Sequence, residues 1–194
     1  MKNSKKILAL TAVAMVLPAA VHAASTTIDA TADFRAAITL GNEVDMQFGT
    51  IETSGVPTGS TATIGTDGSL SFAGNWTGAA TGTAGSVDIT AGTAGQTVEV
   101  RCDATGTLSD GTDTVDLINV EIIDVDNAGA TGTGNACAGS GGASVMTYVL
   151  GAGTDTLALG GQLDGGTATD AAIAGSYSTA NAGGTAVTVD VIYQ

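Results

Sequence analysis

From Ser25 to Leu40 the chain alternates. Thr26, Ile28, Ala30, Ala32, Phe34, Ala36, Ile38 and Leu40 occupy the even positions, and Thr27, Asp29, Thr31, Asp33, Arg35 and Thr39 most of the odd ones. A period of two places these sets on opposite faces of an extended chain. Strands rarely exceed about ten residues, so the run reads either as one unusually long strand or as two with a break near Phe34. Val44–Ile51 alternates again, and Pro57 and Gly59 mark a loop. Shorter strands are expected at Thr61–Gly65, Ser69–Ala73, Ser86–Thr90 and Gln96–Cys102, separated by turn signals such as Asp67-Gly68.

Thr114–Asp126 (TVDLINVEIIDVD) is the strongest candidate for a central strand. Residues 127–144 read as a low-complexity loop containing Cys137, and Ala143–Leu150, Asp155–Leu163 and Gly184–Tyr193 complete the strands. About ten short strands with frequent turns predict an all-β sandwich or barrel, and a β-sandwich is the expected fold. The recurrent Thr, Gly and Ala follow no fixed period, so a solenoid is not expected.

The first residues break this pattern. Lys2, Lys5 and Lys6 precede an apolar run from Ile7 to Leu17, then Pro18 and the small-residue stretch Ala19-Ala20-Val21-His22-Ala23-Ala24. This is the layout of a signal peptide, here residues 1–23, with cleavage after Ala23 or Ala24. The apolar run falls short of the roughly 20 residues that a membrane span needs. The remainder, residues 24–194, is expected to form one sandwich domain. Export to the extracellular space or cell surface, through the periplasm of a Gram-negative cell, follows from the leader.

Losing the leader changes the charge balance. The full chain carries −14, and the leader holds all three lysines and the only histidine, leaving Arg35 and Arg101 against 19 acidic residues. Such a surface repels phosphate backbones and anionic lipid, so neither nucleic-acid binding nor membrane insertion is expected. Cys102 and Cys137 are the only cysteines. In an oxidising compartment an isolated pair reads as a disulfide.

Chemistry is hard to find in what remains. Without histidine there is no Ser-His-Asp or Cys-His arrangement, and the usual zinc sets are missing. A glycosidase cleft would need more aromatic lining than Trp76 and a few Phe and Tyr provide. Asp124-Val125-Asp126-Asn127-Ala128-Gly129 resembles the start of a calcium loop. It lacks the third ligand spacing and a closing Glu, so a solvated strand end is expected there. Asn75-Trp76-Thr77 fits a glycosylation pattern but reads as a turn. No catalytic residue, metal or cofactor is expected, and the chain does not read as an enzyme.

Two resemblances add to this. Phe48-Gly49-Thr50-Ile51 after an alternating strand, Gly175-Ser176-Tyr177, and a closing Val-x-Val-x-Val-x-Tyr strand resemble the secreted bacterial family described as domain of unknown function 4402. The ending Val187, Val189, Val191 and Tyr193 is also similar to the final strand of chaperone–usher pilins, Ig-like sandwiches whose alternating N-terminal segment completes a neighbouring subunit. Ile28, Ala30, Ala32 and Phe34 match that donor segment by type, which implies a donor strand within residues 24–40. Pilin disulfides often lie near the start of the domain, whereas Cys102 and Cys137 lie in its second half. The resemblance implies copies of the chain itself as partners, with a periplasmic chaperone and an outer-membrane usher as assembly factors. The expected function is therefore a non-enzymatic structural subunit of a pilus, other filament or surface layer. The alternative is a monomeric secreted adhesive or carbohydrate-binding module; an ice-binding threonine array is a third reading.

Overall fold

The computed structural model describes residues 29–128, 134–139, 141–166 and 174–194. The segment read as a signal peptide and Ile28 lie outside them. In chain order the strands are β1 (Thr39–Val44), β2 (Ile51–Thr53), β3 (Thr61–Ile64), β4 (Leu70–Ala73), β5 (Trp76–Gly78), β6 (Gly85–Ala91) and β7 (Thr97–Cys102). There follow β8 (Gly106–Ser109), β9 (Thr114–Asp124), the single helical turn α1 (Val125–Ala128), β10 (Asn135–Ala136), β11 (Met146–Val149), β12 (Asp155–Asp164) and β13 (Val189–Tyr193).

Alternation decides which side chains enter the core. In β3, Ala62 and Ile64 are buried while Thr61 and Thr63 are partly exposed. In β7, Val98, Val100 and Cys102 are sealed while Thr97, Glu99 and Arg101 face outward. The larger sheet is centred on β12. β9 pairs along one side of β12, and on the other β6 pairs with Asp155–Leu159 and β3 with Gly161–Asp164. β1 extends this sheet beyond β6, β4 extends it beyond β3, and β8 and β10 pair with β9. The smaller sheet has the order β11-β7-β13, and β2 and β5 form a two-stranded ribbon.

One apolar cluster joins Val98, Val100 and Cys102 of the small sheet to Val87, Ile89, Ile122 and Leu157 of the large one, with Phe48 and Trp76. The protein is thus an all-β sandwich, two sheets closed over a shared core. Cys102 and Cys137 are bonded, with Cα atoms 5.1 Å apart. The bond lies where the chain passes between sheets. Cys137 N donates to Val120 O of β9 at 2.8 Å, Gly139 N to Cys102 O at 2.8 Å, and Val145 N to Val100 O at 3.0 Å.

The long strand β9 accommodates one irregularity. Asn119 has φ 51°, and the β9–β12 register shifts between Gly160 and Gln162. An extra residue has been inserted as a bulge, and asparagine tolerates the left-handed conformation better than most residues. Its Nδ2 donates to Gln162 Oε1 at 2.9 Å, and Gln162 Nε2 donates to Thr63 Oγ1 at 3.0 Å. This chain of amides ties β9, β12 and β3 together. Asn119→Val should destabilise the protein by about 1–2 kcal/mol, since a β-branched residue is strained there and the bond is lost. Denaturant titration against wild type checks it.

The main predicted strands stand where the alternation put them, β3, β4, β6, β7, β9, β11 and β12 among them. The N-terminal alternation behaves differently: among the described residues no strand forms before Thr39, and residues 29–37 are exposed. Alternation specifies two faces but supplies no partner for the backbone, and a strand needs a ladder on at least one side. The closing strand begins at Val189 rather than Gly184, because Thr185 is used in a bridge to Thr107 of β8. Asn75 lies in the expected turn, but Trp76 opens β5 with its ring buried.

Candidate functional site

The small sheet ends at β13. It pairs with β7 in antiparallel register, Val189 opposite Cys102, Val191 opposite Val100 and Tyr193 opposite Val98. Among the described residues no strand pairs with its other side. The effect on burial is direct. Val98, Val100 and Cys102 are 0% exposed, whereas Val187, Val189, Val191 and Tyr193, which pack against the same core, stay half-buried. Among the described residues β7 has a strand on each side and β13 has one, so they leave the core incompletely covered along this edge.

On the outward face, Ile192 lies opposite Glu99 and Asp190 opposite Arg101. Ile192 is 40% exposed. Arg101 Nη2 contacts Glu99 Oε1 at 2.7 Å.

The residues before β1 approach the far end of this strand. Tyr193 Oη donates to Ala36 O at 2.7 Å and accepts from Thr93 N at 2.6 Å. Ala36 N donates to Thr93 Oγ1 at 2.7 Å. Arg35 donates from Nη1 to Gln194 O at 3.3 Å, and its guanidinium carbon lies 5.4 Å from the Tyr193 ring centroid. Phe34, next in line, is 91% exposed. Asp29–Asp33, taken by themselves, are exposed and outside any strand.

Of the residues singled out in the sequence, the closing-strand set Val187, Val189, Val191 and Tyr193 therefore gathers on one half-covered edge. Ala30, Ala32 and Phe34 are exposed and enter no strand, and Ile28 lies outside the described residues. The contacts of Ala36 and Thr93 had no signal in the sequence, because they run through backbone groups and two hydroxyls.

The acidic segment at the end of β9 is a solvated strand end only in part, because Asp126 is exposed but Asp124 is not. Asp124 is 2% exposed, and Asp155 is also buried. Asp124 Oδ1 accepts from Asp126 N at 3.0 Å, Asp126 Oδ2 from Thr156 N at 2.8 Å, and Asp155 Oδ2 from Gly151 N at 3.0 Å. These carboxylates close turns at the end of the sandwich. Burial pushes the nearby Tyr148 hydroxyl well above its ordinary pKa, and the charges of Asp124, Asp155 and Asp126 add to it. Among the described residues no three His, Cys, Asp or Glu side chains group in a way that would hold a metal.

The fold and the site together define a disulfide-linked all-β sandwich with an open terminal strand. The chain belongs to the family described as Domain of unknown function (DUF4402), whose model matches residues 38–193. No curated protein and no solved structure matches it.

The segments that carried the resemblance have structural roles. Phe48 is buried, and Gly49 has φ 64° with Thr81 O only 3.0 Å from where a Cβ would stand. Glycine thus fits the tight turn that leads into Ile51 and β2. Tyr177 packs against the core. The following Ser178 bridges to Ser109, which docks this segment against β8.

Proposed function

We propose that this protein is a non-enzymatic structural subunit of an extracellular filament or surface layer. It polymerises when the N-terminal segment of one copy pairs with the β13 edge of another. The observation that carries this reading is the contrast between the half-buried face of β13 and the sealed face of its register partner β7. An unpaired edge with apolar inward side chains is a template for another strand. The segment around Ala30, Ala32 and Phe34 has the complementary alternation and is exposed. Burying Phe34 against an apolar edge would contribute about 1.5–3 kcal/mol, in addition to the new ladder of backbone hydrogen bonds. The leader-like N-terminus and the disulfide support export to an oxidising compartment. A chaperone and an usher are the assembly partners this reading calls for.

The test uses the mature chain. Negative-stain microscopy should show polymers that the double variant Ile28→Asp, Phe34→Asp cannot form, because each change would bury an unpaired charge. The variant should remain folded and should still bind a separate peptide of residues 25–40. A wild-type chain that stays monomeric at high concentration and along its export route, with residues 25–40 protected from hydrogen exchange, would refute the proposal.

A further inference from the structure

We infer that Tyr193 and Thr93 are positioning residues for strand donation, an inference that rests on the assembly proposed above. Three groups form a closed cycle. Ala36 N donates to Thr93 Oγ1, Thr93 N donates to Tyr193 Oη, and Tyr193 Oη donates to Ala36 O, all within 2.6–2.7 Å. Both backbone polar groups of Ala36 are thereby committed to side chains of the domain. The cycle is built with little room to spare: a Cβ at Gly92 would collide with Leu150 Cδ2 and stand 3.3 Å from Tyr193 Oη. Arg35 adds its guanidinium over the Tyr193 ring and a bond to Gln194 O.

Ala36 is clamped by two hydrogen bonds, while Phe34, two residues earlier, is 91% exposed. The clamp is made by the open strand itself. The body of Tyr193 packs against the core as part of the acceptor edge, and its hydroxyl holds the root of the donor segment. A tethered strand that starts from a fixed root loses less orientational freedom on docking than one on a loose root, so it associates faster. One side chain thus joins the accepting and donating ends of each subunit, and every copy launches its segment from the same point.

The experiment separates donation from acceptance in the full mature chain. Thr93→Val removes the Oγ acceptor and keeps the shape, and Thr93→Ser restores it. Tyr193→Phe removes the hydroxyl and keeps the ring. In Thr93→Val, hydrogen exchange at the Ala36 amide should accelerate by about tenfold, the scale of one lost hydrogen bond, and in Tyr193→Phe the Thr93 amide, which loses the Tyr193 hydroxyl as its acceptor, should do the same. Thr93→Val should extend preformed wild-type filaments at least about fivefold more slowly, while binding a labelled peptide of residues 25–40 as wild type does; Thr93→Ser should recover the rate. A merely structural role would weaken peptide binding and filament extension together, and that result overturns the inference. So does an unchanged extension rate, or unchanged exchange at Ala36, in a wild-type background that polymerises. A wild-type chain that neither polymerises nor binds the peptide overturns the assembly reading itself, and the positioning role with it.

Discussion

Replacing Cys102 and Cys137 together by alanine should lower the unfolding free energy by about 3–4 kcal/mol. The bond spans a sequence separation of 35, and a loop of that size left open in the unfolded chain gains this much freedom in the chain-entropy model. Native packing suffers as well, because both sulfurs belong to the core cluster. The loss should be local before it is global. The amides of Cys137 and Gly139, which bond to Val120 O and Cys102 O, should exchange faster in the variant under native conditions. Those in the centre of β12, paired on both sides, should exchange only by global unfolding. Denaturant titration of the oxidised wild type and the variant measures the total, and exchange resolved by residue gives the distribution. A shift below about 1 kcal/mol would show that backbone hydrogen bonds alone hold the crossing between the sheets.

Val100→Ala should cost about 2–3 kcal/mol, and Val191→Ala about half as much. The two valines are register partners in adjacent strands and lose the same atoms. Val100 is fully buried, so its truncation forfeits the transfer free energy of two methyl groups and leaves a cavity. Val191 is half-buried, so part of its surface is wet already and the neighbours can relax into the space. If β13 is an acceptor edge, the comparison changes on assembly. With the edge filled by another copy, Val191→Ala should cost nearly as much as Val100→Ala, read as a lower dissociation temperature of the polymer. Equal costs in the monomer would show that β13 is already covered, and the edge could not then serve as an acceptor.

The strands were legible to the extent that each carries its own alternation. Val98, Val100 and Cys102 repeat with period two and are buried with period two, and the same holds for Ala62 and Ile64 in β3. The short strands β5, β8 and β10 were not legible. Gly106–Ser109 has too few residues to show a period, and it is a strand because β9 offers it a ladder. Asp124 misled in the opposite direction. Read along the chain it belongs to an acidic strand end, yet pairing with Leu157 turns it into the sandwich, where the Asp126 amide compensates it.

The candidate interface divides along the same line. The alternation of Val187, Val189, Val191 and Tyr193, and that of Ala30, Ala32 and Phe34, is written in the sequence because a face is a local property of an extended chain. Which of these faces finds a partner is not local. The sequence by itself determined an all-β sandwich, its disulfide pair and two apolar-faced terminal segments. Only the tertiary structure decided that, among the described residues, β13 takes the outer place in its sheet, that no strand forms between Asp29 and Thr39, and that Tyr193 and Thr93 together clasp Ala36. Each of these depends on which hydrogen-bonding groups meet across long stretches of chain, 57 and 157 residues in the case of the Ala36 clasp. No periodicity within one segment specifies such meetings; they are settled when the two sheets close over their common core.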